Sequence, residues 1–171
     1  MMFVSFNVNS IRTRLHQLEA VIDALAPDVI GLQETKVQDA DFPVESIREL
    51  GYHVHFHGQK THYGVALLSK AEPEEVVKGY PWDGEDSQRR LITGHFTVKG
   101  EKLTVINGYF PQGESRDHPV KFPAKEKFYA DLMRYLDELK QAGGHVVVMG
   151  DMNISPTDKD IGIGADNAKR W

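Results

Sequence analysis

The order of short and long apolar segments constrains the fold of this chain most strongly. Residues 1–8 alternate apolar and polar side chains, a pattern that predicts a strand. Apolar residues recur at spacings of three and four over 11–25, which predicts an amphipathic helix that Ser10 caps and Pro27 ends. The apolar run 28–33 follows as a second strand. A strand–helix–strand unit of this kind indicates an α/β fold.

The rest of the chain predicts further short strands and two more helices. The strands are expected at 52–57, 64–69, 73–78, 91–98, 102–109 and 145–149, with a hairpin across Lys99-Gly100-Glu101. The helices are expected at 43–50, closed by Gly51, and at about 123–142, stopped by Gly143-Gly144. Helices mixed with mostly adjacent strands favour an α/β or α+β fold whose mixed sheet carries helices on one face.

The length and composition fit one folded domain. The 171 residues include 40% hydrophobic and 26% charged side chains, and neither a repeat nor a linker divides them. We therefore expect 1–171 to belong to a single domain. No apolar run approaches the roughly 20 residues of a membrane span, and the first residues do not resemble a signal peptide. Because the chain has no cysteine, disulfides and thiolate chemistry are excluded, and we expect a cytoplasmic location.

Oxygen-bearing side chains stand where the predicted strands end. They are Asn7, Glu34, Asn107, Tyr109, Asp151 and Asn153. Ligands of α/β proteins bind where strand ends converge. Taken singly, however, each of these residues is more simply explained as a turn former or a solvated group. Together they form a sulfur-free set that suits Mg²⁺ or Mn²⁺ better than zinc. The net charge of −5 allows such an enzyme and argues against a simple basic nucleic-acid coat.

Histidines offer an alternative metal site. His53, His55 and His57 alternate along one predicted strand and would share a face, with His62 close by, an arrangement that could bind zinc. A solvent-facing strand surface explains the pattern more simply, because no carboxylate partner is evident. The chain contains neither a phosphate-loop or dinucleotide fingerprint nor a Gly-x-Ser-x-Gly nucleophile motif.

Basic residues are concentrated in the predicted loops. They include Arg12, Arg14, Lys36, Arg89, Arg90, Arg116 and Lys121. Most lysines and arginines are simply solvated, but loops at one edge of a sheet can present cations to a phosphodiester backbone.

Five segments give the chain a resemblance to a known family. They are 6–9, 32–36 (Leu-Gln-Glu-Thr-Lys), 63–69, 107–115 and 149–154, which includes Gly-Asp-Met-Asn. In order and spacing, these segments resemble the exonuclease III and apurinic/apyrimidinic endonuclease group of the endonuclease/exonuclease/phosphatase superfamily. The resemblance covers essentially the whole chain, and 111–115 and 151–156 are similar to its bacterial branch. One departure is Ser10, where many relatives have glycine.

The resemblance implies both a fold and an activity. The fold is a DNase I-like, four-layer α/β/β/α sandwich, of which this chain would supply mainly the first half. The activity is Mg²⁺- or Mn²⁺-dependent hydrolysis of phosphodiesters in duplex DNA. It would include 3′-to-5′ exonuclease, 3′-phosphatase and abasic-site endonuclease activities. An alternative is that the substrate is RNA or a phosphoinositide, but the 111–115 loop argues against it.

The resemblance also implies roles for individual residues. The metal site would comprise Glu34, Asn7, Asp151 and Asn153. Tyr109 would contact the scissile phosphate, Asp151 would orient or deprotonate the attacking water, and Asn153 would hydrogen-bond a non-bridging oxygen. DNA contacts are expected from Arg12, Tyr63, Arg90, Gln112 and Lys121.

The family pattern continues beyond the end of this chain, into a second half with an Asp–His pair. Because that half is missing and the chain ends abruptly at Ala168-Lys169-Arg170-Trp171, we expect a fragment whose remainder is absent or lies on a separate polypeptide. We also expect one sheet with an uncovered apolar inner face, which monomers avoid. An inactive fragment, or one that only binds DNA, is the alternative function.

Overall fold

The computed structural model describes residues 1–157 and 160, so the terminal segment 168–171 discussed above lies outside the described part. In chain order its elements are β1 (Phe3–Asn7), α1 (Ile11–Leu25), β2 (Val29–Gln33), a 3-10 turn (Asp39–Asp41), α2 (Val44–Glu49), β3 (His53–His57), β4 (Val65–Ser69), β5 (Glu75–Lys78), β6 (Leu91–Val98), β7 (Glu101–Tyr109), α3 (Lys121–Ala142) and β8 (His145–Asp151). No helix in this described part is both long and apolar enough to cross a membrane.

The strands form two mixed four-stranded sheets. The first has the order β1-β2-β4-β3 and the second β5-β6-β7-β8. In the first sheet β1 and β2 are parallel, and in the second β7 and β8 are parallel; the other pairs are antiparallel. Each parallel pair needs a crossover, which α1 provides in the first sheet and α3 in the second.

The two sheets pack face to face between outer layers of helix. Between them lies an apolar core to which the first sheet contributes Val65 and Leu67, and the second Ile92 and Val105. Helices α1 and α2 cover the outer face of the first sheet, and α3 covers that of the second. The layers are therefore α/β/β/α. The expectation of one sheet with an uncovered inner face is wrong, because β5 to β8 supply a second sheet that covers it.

The predicted helices and strands are present, with ends that lie within two residues of those expected, and three further local details differ. Ser10 does not cap α1 with its side chain; its φ is 90°, and its backbone N–H donates to the Glu34 carbonyl at 2.8 Å. The hairpin turn is the two-residue Lys99-Gly100, both with positive φ, and Glu101 already belongs to β7. Helix α3 begins at Lys121, where the His118 ring accepts two backbone N–H bonds.

A buried polar pair joins the two sheets. Gln33 on β2 donates through Nε2 to Asn107 Oδ1 on β7 at 2.6 Å, and both side chains are almost completely buried. Asn107 Nδ2 in turn donates to the carbonyls of Leu32 and Ala66, each at 2.9 Å. Asn107 was expected at the ligand-binding edge, but it lies between the sheets and fixes how they approach each other.

Replacing Asn107 by leucine should lower the free energy of unfolding by about 2 kcal/mol, because two buried carbonyls lose their donor. Urea denaturation would measure the change. Lys102→Leu, at an exposed position of the same strand, is the matched control and should stay within about 0.5 kcal/mol of the unsubstituted chain. Equal stability of the two variants would show that the bridge between the sheets contributes nothing.

Candidate active site

Two carboxylates from opposite sheets meet at one asparagine amide. Asn7 ends β1, Glu34 directly follows β2, and Asp151 ends β8. Asn7 Nδ2 donates to Glu34 Oε1 at 2.8 Å and to Asp151 Oδ2 at 2.9 Å. The two acidic oxygens therefore lie no more than two hydrogen-bond lengths apart. Three of the residues that the sequence places at strand ends are thus brought together, across 144 positions of the chain.

Glu34 is held in an ionised, strained position. Burial alone would raise the pKa of Glu34, but the hydrogen bond from Asn7 and the charge of Lys36 together lower it. The Lys36 Nζ lies 2.8 Å from Glu34 Oε2. Both residues have a φ near +54°, a left-handed conformation that costs about 1 kcal/mol or more for a non-glycine residue. Backbone hydrogen bonds from Thr35 to Gly64 and from Lys36 to Tyr63 hold this segment in place.

Tyr109 supplies a neutral phenol next to these carboxylates. It is the last residue of β7 and is paired in register with Asp151 on β8. Burial, together with the negative charge of neighbouring Glu34, raises the pKa of Tyr109 to about 12. The phenol therefore stays protonated at neutral pH and can donate a hydrogen bond to an anionic oxygen.

Asn153 is fixed beside Asp151 by backbone and side-chain contacts. Its φ is +48°, its N–H donates to Asp151 Oδ1 at 3.2 Å, and its Nδ2 donates to the Phe110 carbonyl at 2.9 Å. The second amide hydrogen of Asn153 makes no hydrogen bond to any other described residue. Each oxygen of Asp151 accepts one hydrogen bond, so the orientation of that carboxylate is fixed.

Helix α3 supports the segment directly after β8, which contains Met152 and Asn153. It does so through two residues that the sequence did not identify as part of the site. Lys125 Nζ donates to the Asn153 carbonyl at 2.7 Å, and the Tyr129 hydroxyl donates to the Met152 carbonyl at 2.6 Å. Their spacing of four places both on one face of α3. That spacing was visible in the sequence, but it did not show which loop the face would meet.

The residues expected to contact DNA differ in accessibility. Arg12, Gln112 and Lys121 are exposed, and Lys121 pairs with Glu114. Tyr63 is half-buried, whereas the Arg90 side chain is only 9% exposed. Arg12 and Gln112 can therefore reach a ligand without rearrangement of the surface, whereas Lys121 would first have to leave Glu114.

The donors at the strand ends fit a hard divalent cation. The carboxylates of Glu34 and Asp151, which converge on the Asn7 amide, offer only oxygen atoms as metal ligands. Lys36 offsets only part of their negative charge. The described residues contain no group of three or more acidic or histidine side chains that could hold a metal. A cation here would therefore be held by Glu34 and Asp151, with the remaining ligands supplied by amide oxygens, water or phosphate, as is usual for Mg²⁺.

The histidines of β3 are divided between two environments. His53 and His55 lie beside Glu72, whereas the ring of His57 is buried and its Nε2 lies 3.4 Å from Arg89 Nη1. A histidine that faces a guanidinium is poorly placed to share a cation with its neighbours. Burial and the charge of Arg89 lower the pKa of His57 to about 4.

The buried His57 predicts an acid-sensitive fold. Its ordinary pKa is near 6.5, so between about pH 6.5 and 4 the unfolded chain binds a proton that the folded chain excludes. This contribution to stability is complete above pH 6.5 and is lost on acidification, by roughly 3 kcal/mol at pH 4. Urea denaturation across that range should show a weaker pH dependence in His57→Gln. An unchanged pH dependence in this variant would contradict the assignment.

Comparisons with known proteins find a matching family and similar chains. The model of the Endonuclease/Exonuclease/phosphatase family matches residues 4–171. "Exodeoxyribonuclease III" of Haemophilus influenzae is 60% identical over all 171 residues, and the chain covers 64% of that protein. "Exodeoxyribonuclease" of Bacillus subtilis is 29% identical over 94% of the chain, which covers 62% of that relative.

Solved structures of related proteins have the same fold. An AP endonuclease from Archaeoglobus fulgidus is 36% identical with a TM-score of 0.84, over 98% of this chain and 62% of that protein. A 3′ phosphatase from Neisseria, bound to product DNA hairpin, is 37% identical with a TM-score of 0.82, over 92% of this chain and 60% of that protein. The chain thus spans less than two thirds of the length of each of these relatives.

Proposed function

The chain belongs to the endonuclease/exonuclease/phosphatase family, and we propose that it carries the site of a metal-dependent DNA-repair nuclease. The substrate would be the phosphodiester backbone of duplex DNA. The activities would be 3′-to-5′ exonuclease, 3′-phosphatase and abasic-site endonuclease. One observation carries the proposal: carboxylates from both sheets converge on the Asn7 amide, beside a phenol that stays protonated. Relatives named as an exodeoxyribonuclease and an AP endonuclease support it.

Glu34 and Asp151 would hold a Mg²⁺ or Mn²⁺ ion. When bound, that ion would offset the charge that develops on the phosphate oxygens and on the leaving group. The Asn7 amide holds the two carboxylates beside each other and orients them by donating to both.

The remaining side chains act on the phosphate and the water. The Tyr109 phenol and the second amide hydrogen of Asn153 donate to non-bridging oxygens without adding charge. Asp151, whose two oxygens are already oriented by Asn7 and Asn153, accepts the proton of the attacking water. Exposed Arg12 contributes long-range attraction for the DNA backbone, to which Lys121 adds once it leaves Glu114.

A second candidate function is DNA binding without cleavage. Among the described residues no histidine contacts these groups: His118 accepts hydrogen bonds at the start of α3, and His57 faces Arg89. Protonation of a leaving oxygen needs an acid, and a phenol with a pKa of about 12 is a poor one at neutral pH. The lack of a suitable acid among the described residues favours DNA binding without cleavage for a site that contains only these residues.

The proposals can be separated with one duplex that contains a single abasic site. The purified chain would be incubated with it in Mg²⁺ or in EDTA, and binding and incision would be measured in parallel. Metal-dependent incision supports the nuclease, and retention of the duplex without incision supports the second candidate. Absence of both would overturn both. Matched reactions with a 3′-phosphate duplex, an RNA duplex and a phosphoinositide vesicle would define the substrate class.

A further inference from the structure

Arg90 is a buried cation that pairs with no acidic side chain in the part of the chain that the structure describes. The side chain is 9% exposed, and none of the ion pairs found among the described residues includes it. Its Nε donates to Gln88 Oε1 at 2.6 Å and its Nη1 donates to the Tyr109 carbonyl at 3.0 Å. A buried charge is costly unless other contacts compensate for its lost hydration.

Two tyrosine rings provide that compensation. The guanidinium carbon of Arg90 lies 4.1 Å from the centre of the Tyr63 ring and 4.8 Å from the centre of the Tyr109 ring. Both distances are within the range of cation–π attraction, which strengthens when the pair is shielded from water. Arg90 therefore links Tyr63, in the loop between β3 and β4, to the end of β7. The same loop accepts the backbone N–H of Lys36 and so also supports the Glu34 segment.

Arg90 and Tyr109 also exchange hydrogen bonds in both directions. The Tyr109 N–H donates to the Arg90 carbonyl at 2.7 Å, and the Arg90 side chain returns a bond to the Tyr109 carbonyl. The backbone of Tyr109 is thus held from both sides while the guanidinium supports its ring. Its phenol lies beside Glu34.

We propose that Arg90 is a positioning residue, which acts on the reaction through Tyr109 rather than by contacting a DNA phosphate. This inference rests on the proposed nuclease function. A phosphate contact would require the guanidinium to leave the two tyrosines and become exposed. Loss of the Arg90 contacts frees the Tyr109 ring, so the phenol no longer meets the phosphate in one fixed orientation.

The salt dependence of DNA binding distinguishes the two roles. Arg90→Lys keeps the charge without the planar guanidinium, Arg90→Met keeps most of the packing, and Arg48→Met on exposed α2 is the control for loss of a surface charge. Affinity for the abasic duplex would be measured in EDTA over a series of salt concentrations. Single-turnover cleavage in Mg²⁺ would be measured with the same preparations, after circular dichroism has verified their fold.

A positioning role predicts that the Arg90 variants cleave DNA more slowly but bind it as tightly as the unsubstituted chain. Both Arg90 variants should bind within about twofold of the unsubstituted chain with the same salt slope, and cleave about 10- to 100-fold more slowly. A salt slope reduced by about 0.9 in Arg90→Met, which marks one lost phosphate contact, would overturn the proposal. A wild-type cleavage rate in Arg90→Lys would overturn it too.

A double-mutant cycle tests the contact even if the nuclease proposal fails. Unfolding would be measured for Arg90→Met, Tyr109→Leu and the combination. Direct support of Tyr109 by Arg90 predicts that the effects on the unfolding equilibrium constant deviate from multiplicativity by at least about fivefold. Multiplicative effects would overturn the positioning role. A chain that neither binds nor cleaves DNA but shows this coupling would count against the proposed function alone.

Discussion

Replacing Asp151 by asparagine should lower the rate of metal-dependent DNA cleavage by about a thousandfold. The substitution keeps the size and shape of the side chain but removes the negative charge and the basic oxygen. Both functions proposed for Asp151, holding the cation and accepting a proton from water, require the carboxylate. Single-turnover cleavage of the abasic duplex in Mg²⁺ would measure the loss, with the unsubstituted chain as reference.

The fold should tolerate this substitution. The asparagine oxygen can still accept a hydrogen bond from Asn7 or from the Asn153 N–H, the two donors that now reach Asp151. Asp137→Asn, on the exposed side of α3, is the matched control and should cleave at the unsubstituted rate. A rate for Asp151→Asn within fivefold of this control would contradict the proposed role of the carboxylate.

The strand ends of this site could be predicted from the sequence because each follows a short apolar run. Asn7, Glu34, Tyr109 and Asp151 mark the ends of four strands, and parallel pairing of β1 with β2 and of β7 with β8 puts those ends on one edge. What periodicity cannot show is which strands pair. The strands β2 and β4 are buried on both faces, so their patterns do not distinguish one sheet from two stacked sheets.

Long-range contacts account for the other differences. Ser10 has the composition of a helix cap, but the carbonyls of Glu34 and Thr35 accept the backbone N–H groups at the start of α1. Asn107 has the position of a ligand-binding residue, but it meets Gln33 across the sheets. In both cases the deciding partner lies more than 20 positions away in the chain, beyond the range of a local pattern.

Gly150→Ala should lower the free energy of unfolding by about 3 kcal/mol or more, through steric overlap and backbone strain together. Gly150 has a φ of +146°, and a Cβ there would lie 2.0 Å from the carbonyl oxygen of Gly108. That oxygen belongs to the backbone of the adjacent strand, where Gly108 is paired with Gly150, so no side-chain rotation relieves the overlap. Strand β8 must move away from β7, and Asp151 moves with it. Cleavage should therefore fall together with stability.

Two other glycines separate the steric overlap from backbone strain. Gly84 has space around it and an ordinary backbone conformation, so Gly84→Ala should leave stability unchanged. Gly100 also has space but a φ of +87°, so Gly100→Ala reports the strain alone, about 1 kcal/mol. In urea denaturation, the loss in free energy of unfolding should increase from Gly84→Ala through Gly100→Ala to Gly150→Ala. If Gly150→Ala costs no more than Gly100→Ala, β8 can shift freely against β7, and the close pairing of Tyr109 with Asp151 cannot be what holds the two halves of the site in place.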